Sequence, residues 1–351
     1  MLTLQGDVAL DITNEIKIKL TRQEQASFAS ARPVNPDAYE AYLKGRYYAA
    51  RFTSDGAQKA TEYFRQAMTI DPGYALTYDG LAYNYTLQSN WPLPPNEAMP
   101  KARDAAKKAL ELDDSLAGAH TSLAIVLLLY DWNRSAADRE LQRALEINSS
   151  NARAHYARAW FWTSIGRFDE ALSENRRAQE LDPLAVETSV MFGITLYFAR
   201  RYDQAIRQLQ RTLEVDPGNW AAHLVLGRVY QHRGLISEAL AEFQKAKQSE
   251  SQDPDVTASL GLAYALAGKQ VEARKMLAVL EDQSNTQYVP SDNMALVCLG
   301  LGDRDRALAW LEKAYSQRSP FLVWLKVDPD LDSIRSDPRF EGLVHRVGLP
   351  Q

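Results

Sequence analysis

Small side chains return along this chain at a fixed interval of 34 residues, at Ala159, Gly193, Gly227, Gly261 and Ala295. A second small column follows twelve residues behind, at Ala171, Ala205, Ala239, Ala273 and Ala307. Larger side chains stand three residues after the first column, at Trp162, Leu196, Tyr230, Tyr264 and Cys298. Others stand four after the second, at Leu209, Phe243, Leu277 and Leu311, with Asn175 breaking the series. Two helices cross closely only where both lack bulk, and the larger residues fill the space beside the crossing. Apolar positions at 3–4 spacing give each helix one buried stripe. The pattern therefore predicts stacked pairs of antiparallel helices. Asp182-Pro183 and Asp216-Pro217 end second helices, because proline disfavours helical geometry in the residue before it.

The columns extend toward the N-terminus with insertions. Gly45, Ala60 and Ala67 form one unit, ending at Asp71-Pro72. Ala82, Ala102 and Ala109 form the next, and Ala124, Ala137 and Ala144 a third. From the last small residue of one unit to the first of the next the distance stays 15, so the extra residues fall in the turn inside a unit. The longest insertion contains SNWPLPPN at 89–96, whose prolines predict a loop. Eight units are expected over 37–318, giving an all-α solenoid of about eight helix pairs.

Two segments lie outside the repeat. Residues 1–36 carry Leu4, Val8, Ile12, Ile16 and Leu20 at i, i+4, the stripe of an amphipathic helix over 3–20, with a second helical stretch at 21–30 before the break ARPVNP. That stripe needs a surface to bury against, and the first repeat is one candidate. Residues 319–351 offer Leu331, Ile334, Phe340, Leu343 and Val347 as an apolar face, with Asp337-Pro338 dividing two short helices. An open-ended array needs such a closing element, and the segment reads as a C-terminal cap.

These columns resemble the tetratricopeptide repeat family, over about four-fifths of the chain. Asn175, Thr212 and Leu280 depart from the family pattern, as do the insertions in the first three units. The resemblance implies a right-handed superhelix whose first helices line a concave face. Positions one after and three before the first column should point there: Tyr42, Arg46, Tyr83, Tyr156, Trp160, Val190, Ile194, Leu224 and Arg228. Tyr197, Phe198, Gln231 and His232 follow on the same helices. An aromatic middle with an arginine-containing end suits a protein or peptide segment bearing apolar anchors and an acid. Members that clamp chaperone C-terminal carboxylates place Lys and Asn at these positions. Here stand Tyr42, Asp79, Thr121 and Tyr156 at one, and Arg46, Tyr83, Ile125 and Trp160 at the other, so capture of that tail is not expected. LQGDVALDITNEIKIKL followed by PDAYEAYLKGRYY, together with the tail, also resembles the C-terminal tetratricopeptide region of bacterial winged-helix/TolB-like or kinase-linked regulators. This implies a regulatory role as the alternative to a free-standing scaffold.

Composition narrows the chemistry. A formal net charge of −5 gives no general attraction for nucleic acid or anionic membrane. The apolar run LAIVLLLY at 123–130 is too short to span a bilayer, and the acidic start lacks the pattern of a signal peptide, so a cytoplasmic location is expected, with an extracytoplasmic one the alternative if an upstream segment tethers the chain to a membrane. With one cysteine, Cys298, no intrachain disulfide forms, and its place in a core column makes it a buried thiol. His120, His155 and His223 each precede a first-column residue by four, so they stack along the solenoid rather than converge on a metal. His232 and His345 are isolated. Asp113-Asp114 sits at a helix end, and Gly300-Leu301-Gly302 is a turn. No nucleophile–base pair, phosphate-cradling loop or metal-ligand spacing is present, so neither enzymatic activity nor a cofactor is expected.

Overall fold

The computed structural model describes residues 35–350 apart from 52, 90–91 and 251–252. The regular elements among them are all helical. Eight consecutive pairs run α1 (Pro36–Ala49) with α2 (Ser54–Ile70), α3 (Ala75–Gln88) with α4 (Pro95–Leu112), α5 (Ala117–Leu129) with α6 (Arg134–Ile147), and α7 (Ala152–Ser164) with α8 (Phe168–Leu181). They continue as α9 (Val186–Phe198) with α10 (Tyr202–Val215), α11 (Trp220–His232) with α12 (Ile236–Ser249), α13 (Pro254–Leu266) with α14 (Gln270–Gln283), and α15 (Ser291–Gly300) with α16 (Arg304–Ser316). Two 3-10 turns, Pro320–Trp324 and Pro329–Ile334, lead to the closing helix α17 (Pro338–Arg346). The segment expected to be helical over 3–30 lies outside the described residues.

The small columns do what their spacing requires. A Cβ on Gly227 would stand 2.5 Å from the Phe243 ring, and one on Gly193 would stand 2.5 Å from Leu209. Only glycine admits those side chains of the paired helix. Seven residues after the first column the backbone turns left-handed, at Gly166, Gly234, Gly268 and Gly302. Arg200 takes the same conformation with φ 58°, which disfavours a residue carrying a Cβ. Local caps start several first helices: Asn151 Oδ1 accepts from the Ala154 amide at 3.0 Å and Asn219 Oδ1 from the Ala222 amide at 2.9 Å. In the long insertion, α4 begins at Pro95, inside the stretch expected to be a loop; proline suits the first helical position, where no amide bond is needed.

The tail departs from the sequence expectation. Only α17 is an α-helix; the part before Asp337-Pro338 forms the second 3-10 turn, with the Arg335 guanidinium donating to the Asp328 carbonyl at 2.9 Å. The segment also does more than cover the last pair. Leu322, Leu325, Leu331 and Ile334 pack with α15, α16 and α17, whereas Val323 packs with Ile125, Leu128 and Phe161 of the third and fourth pairs. Val327 joins Tyr197, Phe198 and Val229 of the fifth and sixth. Farther out, Arg134 Nη1 donates to the Gly348 carbonyl at 2.7 Å, and the Trp132 and Tyr315 rings lie 5.1 Å apart. The tail therefore runs back through the hollow of the superhelix and ties its third to its eighth pair.

Candidate functional site: a divided concave face

The sequence-predicted groove residues fall into two groups. Tyr42, Arg46, Tyr83 and Tyr156 line an open cavity of about 1270 Å³ toward the N-terminal end. Tyr42 is buried against Tyr74, with ring centres 5.4 Å apart, and against Phe64. Arg46 is exposed on the next turn and donates to the Tyr42 hydroxyl at 3.2 Å. No ion pair involves Arg46 among the described residues, so its charge faces the opening.

Deeper in the cavity, polar groups link first helices that are not neighbours. Arg153 of α7 reaches over α5 to Asp79 of α3, at 2.6 Å, and its guanidinium lies 4.6 Å from the Tyr83 ring centre. Gly118 lets the arm pass: a Cβ there would be 2.2 Å from Asp79 Oδ2 and 2.3 Å from Arg153 Nη2. Across the groove, the Tyr83 hydroxyl donates to the Glu187 carboxylate. Burial pushes the Glu187 carboxyl above its ordinary range, opposed by the hydrogen bonds of Tyr83 and Tyr156 and by the Arg153 charge. Burial likewise drives both tyrosine hydroxyls well upward, so they stay protonated donors.

Trp160, Tyr197, Phe198, Gln231 and His232 meet the chain's own tail, and Arg228 lies near its acids. The Trp324 ring stacks on Phe198, with centres 5.5 Å apart and planes at 22°, and stands edge-on to Trp160 at 6.1 Å. Two turns on, Asp330 Oδ1 receives His232 Nε2 at 2.7 Å and Gln231 Nε2 at 3.2 Å. Tyr197 is fully enclosed, and its hydroxyl approaches Asp328 at 3.4 Å. Arg228 pairs with Asp255 of the next pair. Burial raises the Asp328 carboxyl to about 7, helped by the Asp330 charge. Burial also opposes ionisation of Asp330, but the His232 hydrogen bond and charge outweigh it and hold that carboxyl below its usual range. His232 is raised: burial disfavours its charged form, and Asp330 more than compensates.

Sequence reasoning missed the partners of these residues. Arg153, Glu187 and Asp255 each precede the first column by six, one turn before the positions read as concave and on the same face, so a charged column at that offset was the available signal. Trp324, Asp328 and Asp330 lie in the segment read as an end cap.

The recurrent histidines form a ladder on the other side of the helices. Nδ1 of His120, His155 and His223 meets Glu140, Glu174 and Glu242 at 2.6, 2.6 and 2.5 Å, while Nε2 meets the carbonyl six residues earlier. Hydrogen bonding to Glu242 raises His223 against the effect of burial; for His155 burial is the larger single influence, and Glu174 with the Ser149 carbonyl overcomes it. No group of three His, Cys, Asp or Glu residues suited to a metal occurs among the described residues. Cys298 is enclosed, and burial pushes its thiol up to about 11.

These shifts share a sign between pH 6 and 8. His155, His223 and His232 bind protons more tightly folded than unfolded, so their contribution is complete below about 6.5 and is lost as pH rises through their raised values. Burial lifts Asp292 to about 6 and Asp253 and Asp328 to about 7; these folded carboxyls also take up protons as pH falls toward their ordinary range. Glu242, Asp330 and Asp332 shift downward and act only in more acid solution. The melting temperature is thus expected to be higher at pH 6 than at pH 8 in buffers of constant ionic strength. Scanning fluorimetry reads this, and a flat or reversed profile would contradict the assignment.

Residues 123–186 and 190–255 match the family model for the tetratricopeptide repeat. The matched stretches are tetratricopeptide repeats, and they fall within the third to seventh helix pairs. Human tetratricopeptide repeat protein 13 is 31% identical over 126 residues, which are 36% of this chain and 14% of that protein. The transcriptional regulator HilA of Salmonella typhimurium is 22% identical over 256 residues, 72% of this chain and 40% of HilA. The chain thus spans less than half the length of these curated relatives. A human IFIT1 dimer with PPP-AAAA aligns at a TM-score of 0.60 and 17% identity, covering 88% of this chain and 77% of that one, a likeness of fold alone. No helix among the described residues is long and apolar enough to cross a membrane.

Proposed function

We propose that the scaffold holds a partner protein segment in the N-terminal half of its concave face. The observation that carries this reading is the division of the groove. Its C-terminal half already grips a peptide segment, the tail, through an aromatic anchor at Trp324 and an acid at Asp330. The N-terminal half offers the same kinds of group, Tyr42, Tyr83 and Tyr156 beside the exposed charge of Arg46, around an open cavity of about 1270 Å³. An extended segment with an apolar or aromatic anchor and a nearby carboxylate suits it, because rings bury anchor area at low entropic cost and a guanidinium orients an acid.

Selection of a displayed peptide library on the full chain, followed by calorimetry with the selected peptide, tests the proposal. Arg46→Glu is expected to weaken binding at least about tenfold by reversing the charge at the rim, with helical content unchanged. Selected peptides that bind the Arg46→Glu and Tyr83→Ala variants as tightly as the parent would remove the groove assignment.

The likeness to HilA over 72% of this chain supports a second reading, in which the repeats are the regulatory region of a bacterial transcriptional regulator or signalling kinase. DNA upstream of the Met1 codon discriminates: a winged-helix or kinase sequence in the same frame favours it, and its absence removes the reason for it.

A further inference from the structure

The first pair displays an apolar face that every later pair covers. Two places before the first-column residue, the residues of pairs two to eight are buried throughout; Met191 and Val225 are 6% and 5% exposed. The counterpart in α1, Leu43, is 46% exposed. Two places after the column, Val126, Val229 and Val297 are fully buried and Phe161 is 7% exposed, whereas Tyr47 is 62% exposed. What covers these places elsewhere is the second helix of the preceding pair. A Cβ on Gly80 would stand 2.7 Å from Phe64 of α2, and Asn84 Nδ2 donates to the Ala57 carbonyl of α2 at 2.9 Å. The described residues place no helix in that position over α1.

The chain itself carries a suitable occupant. Thirty-five residues precede Pro36, against a repeat of 34, so one further layer of chain is available directly before α1. That stretch contains the apolar row Leu4, Val8, Ile12, Ile16 and Leu20. One place ahead, at the same i, i+4 spacing, runs an acidic row of Asp7, Asp11 and Glu15. The face on α1 is bordered by a matching charge, the Arg51 guanidinium 5.7 Å from the Tyr47 ring centre, whereas Lys44 beside Leu43 is already paired with Glu40 at 2.7 Å. Tyr48, stacked on Tyr63 at 5.5 Å, extends the apolar area.

We propose that residues 3–31 of this same chain cover Leu43 and Tyr47, supplying the layer that precedes the first pair and sealing the N-terminal end of the solenoid. A bare end of this kind, with a leucine and a tyrosine open to water, invites stacking between molecules, which a terminal layer with a polar outer face prevents.

Hydrogen exchange with mass spectrometry on the full chain tests this. Ile12→Asp combined with Ile16→Asp should speed exchange of the α1 amides about tenfold or more while leaving α11–α13 unchanged. The reciprocal change, Leu43→Asp, should speed exchange over residues 3–20. Light scattering should find a monomer for the parent chain. Unchanged exchange in α1 for the first variant and in 3–20 for the second would overturn the proposal and leave the N-terminal stripe to another protein. A parent dimer that Leu43→Asp dissociates would also overturn it, assigning the face to a second copy.

Discussion

Ala239→Glu is expected to destabilise the protein by about 4 kcal/mol, the scale of forcing an unpaired polar group into an apolar cluster together with overpacking. Ala239 is fully buried and belongs to a cluster with Leu224, Phe243, Val256 and Leu260. The crossing beside it has no slack, since even one methyl group on Gly227 would collide with Phe243. A longer, polar side chain must therefore push α11 and α12 apart or enter the cluster protonated. In a solenoid each pair is held mainly by its neighbours, so the damage should remain local. Exchange should accelerate over α11–α13 while α1–α6 keep their protection, and the melting temperature should fall. An unchanged melting temperature would mean that the second small column does not mark a helix crossing.

That prediction rests on a part of the fold that was legible in the sequence, and the reason is physical. Contacts between neighbouring helices recur with the repeat, so each is written several times over in the 34-residue columns. Gly193 over Leu209 and Gly227 over Phe243 are two instances of one rule. The path of the tail is written once. The approach of Tyr197 to Asp328 joins residues 131 apart, and no periodicity announces it. Leu331 and Ile334 could be read as apolar and buried, yet nothing in that reading tells a cap on the last pair from a strap along the hollow. The same limit applies to the groove. Register places Trp160, Phe198 and His232 along the first helices but is silent on what lies over them, because exposed and covered aromatics obey the same spacing. The charged residues Arg153 and Glu187 escaped notice for a different reason: their partners, Asp79 and Tyr83, sit on first helices of other pairs, and such a reach becomes visible only once the superhelix curves.

Asp330→Ala is expected to cost about 3 kcal/mol, because it strips a buried, paired carboxylate from two donors that then stay enclosed. The Asp330 side chain is 2% exposed, and His232 and Gln231 both donate to its Oδ1. His232→Ala removes the other side of the contact, and the double variant should lose less than the sum of the single changes. Their coupling should be about 1–2 kcal/mol at pH 6, as for residues in one hydrogen-bonded pair. The coupling also has a pH signature. His232 is raised above its ordinary value, so the charged pair is complete below about 6.5 and fades as pH climbs through that raised value, while Asp330, held low, stays ionised throughout. Urea denaturation of the four proteins at pH 6 and pH 8.5 should show the coupling shrink at the higher pH; equal coupling at both would mean that His232 grips the tail as a neutral donor. The same variants separate the two halves of the groove. Loosening the tail at Asp330 should leave a peptide bound beside Arg46 and Tyr83 undisturbed, since that cavity is lined by the first five pairs and Asp330 lies against the sixth. A peptide whose affinity rises sharply in Asp330→Ala would instead be taking the place of Trp324, and the tail would then be the groove's competing occupant.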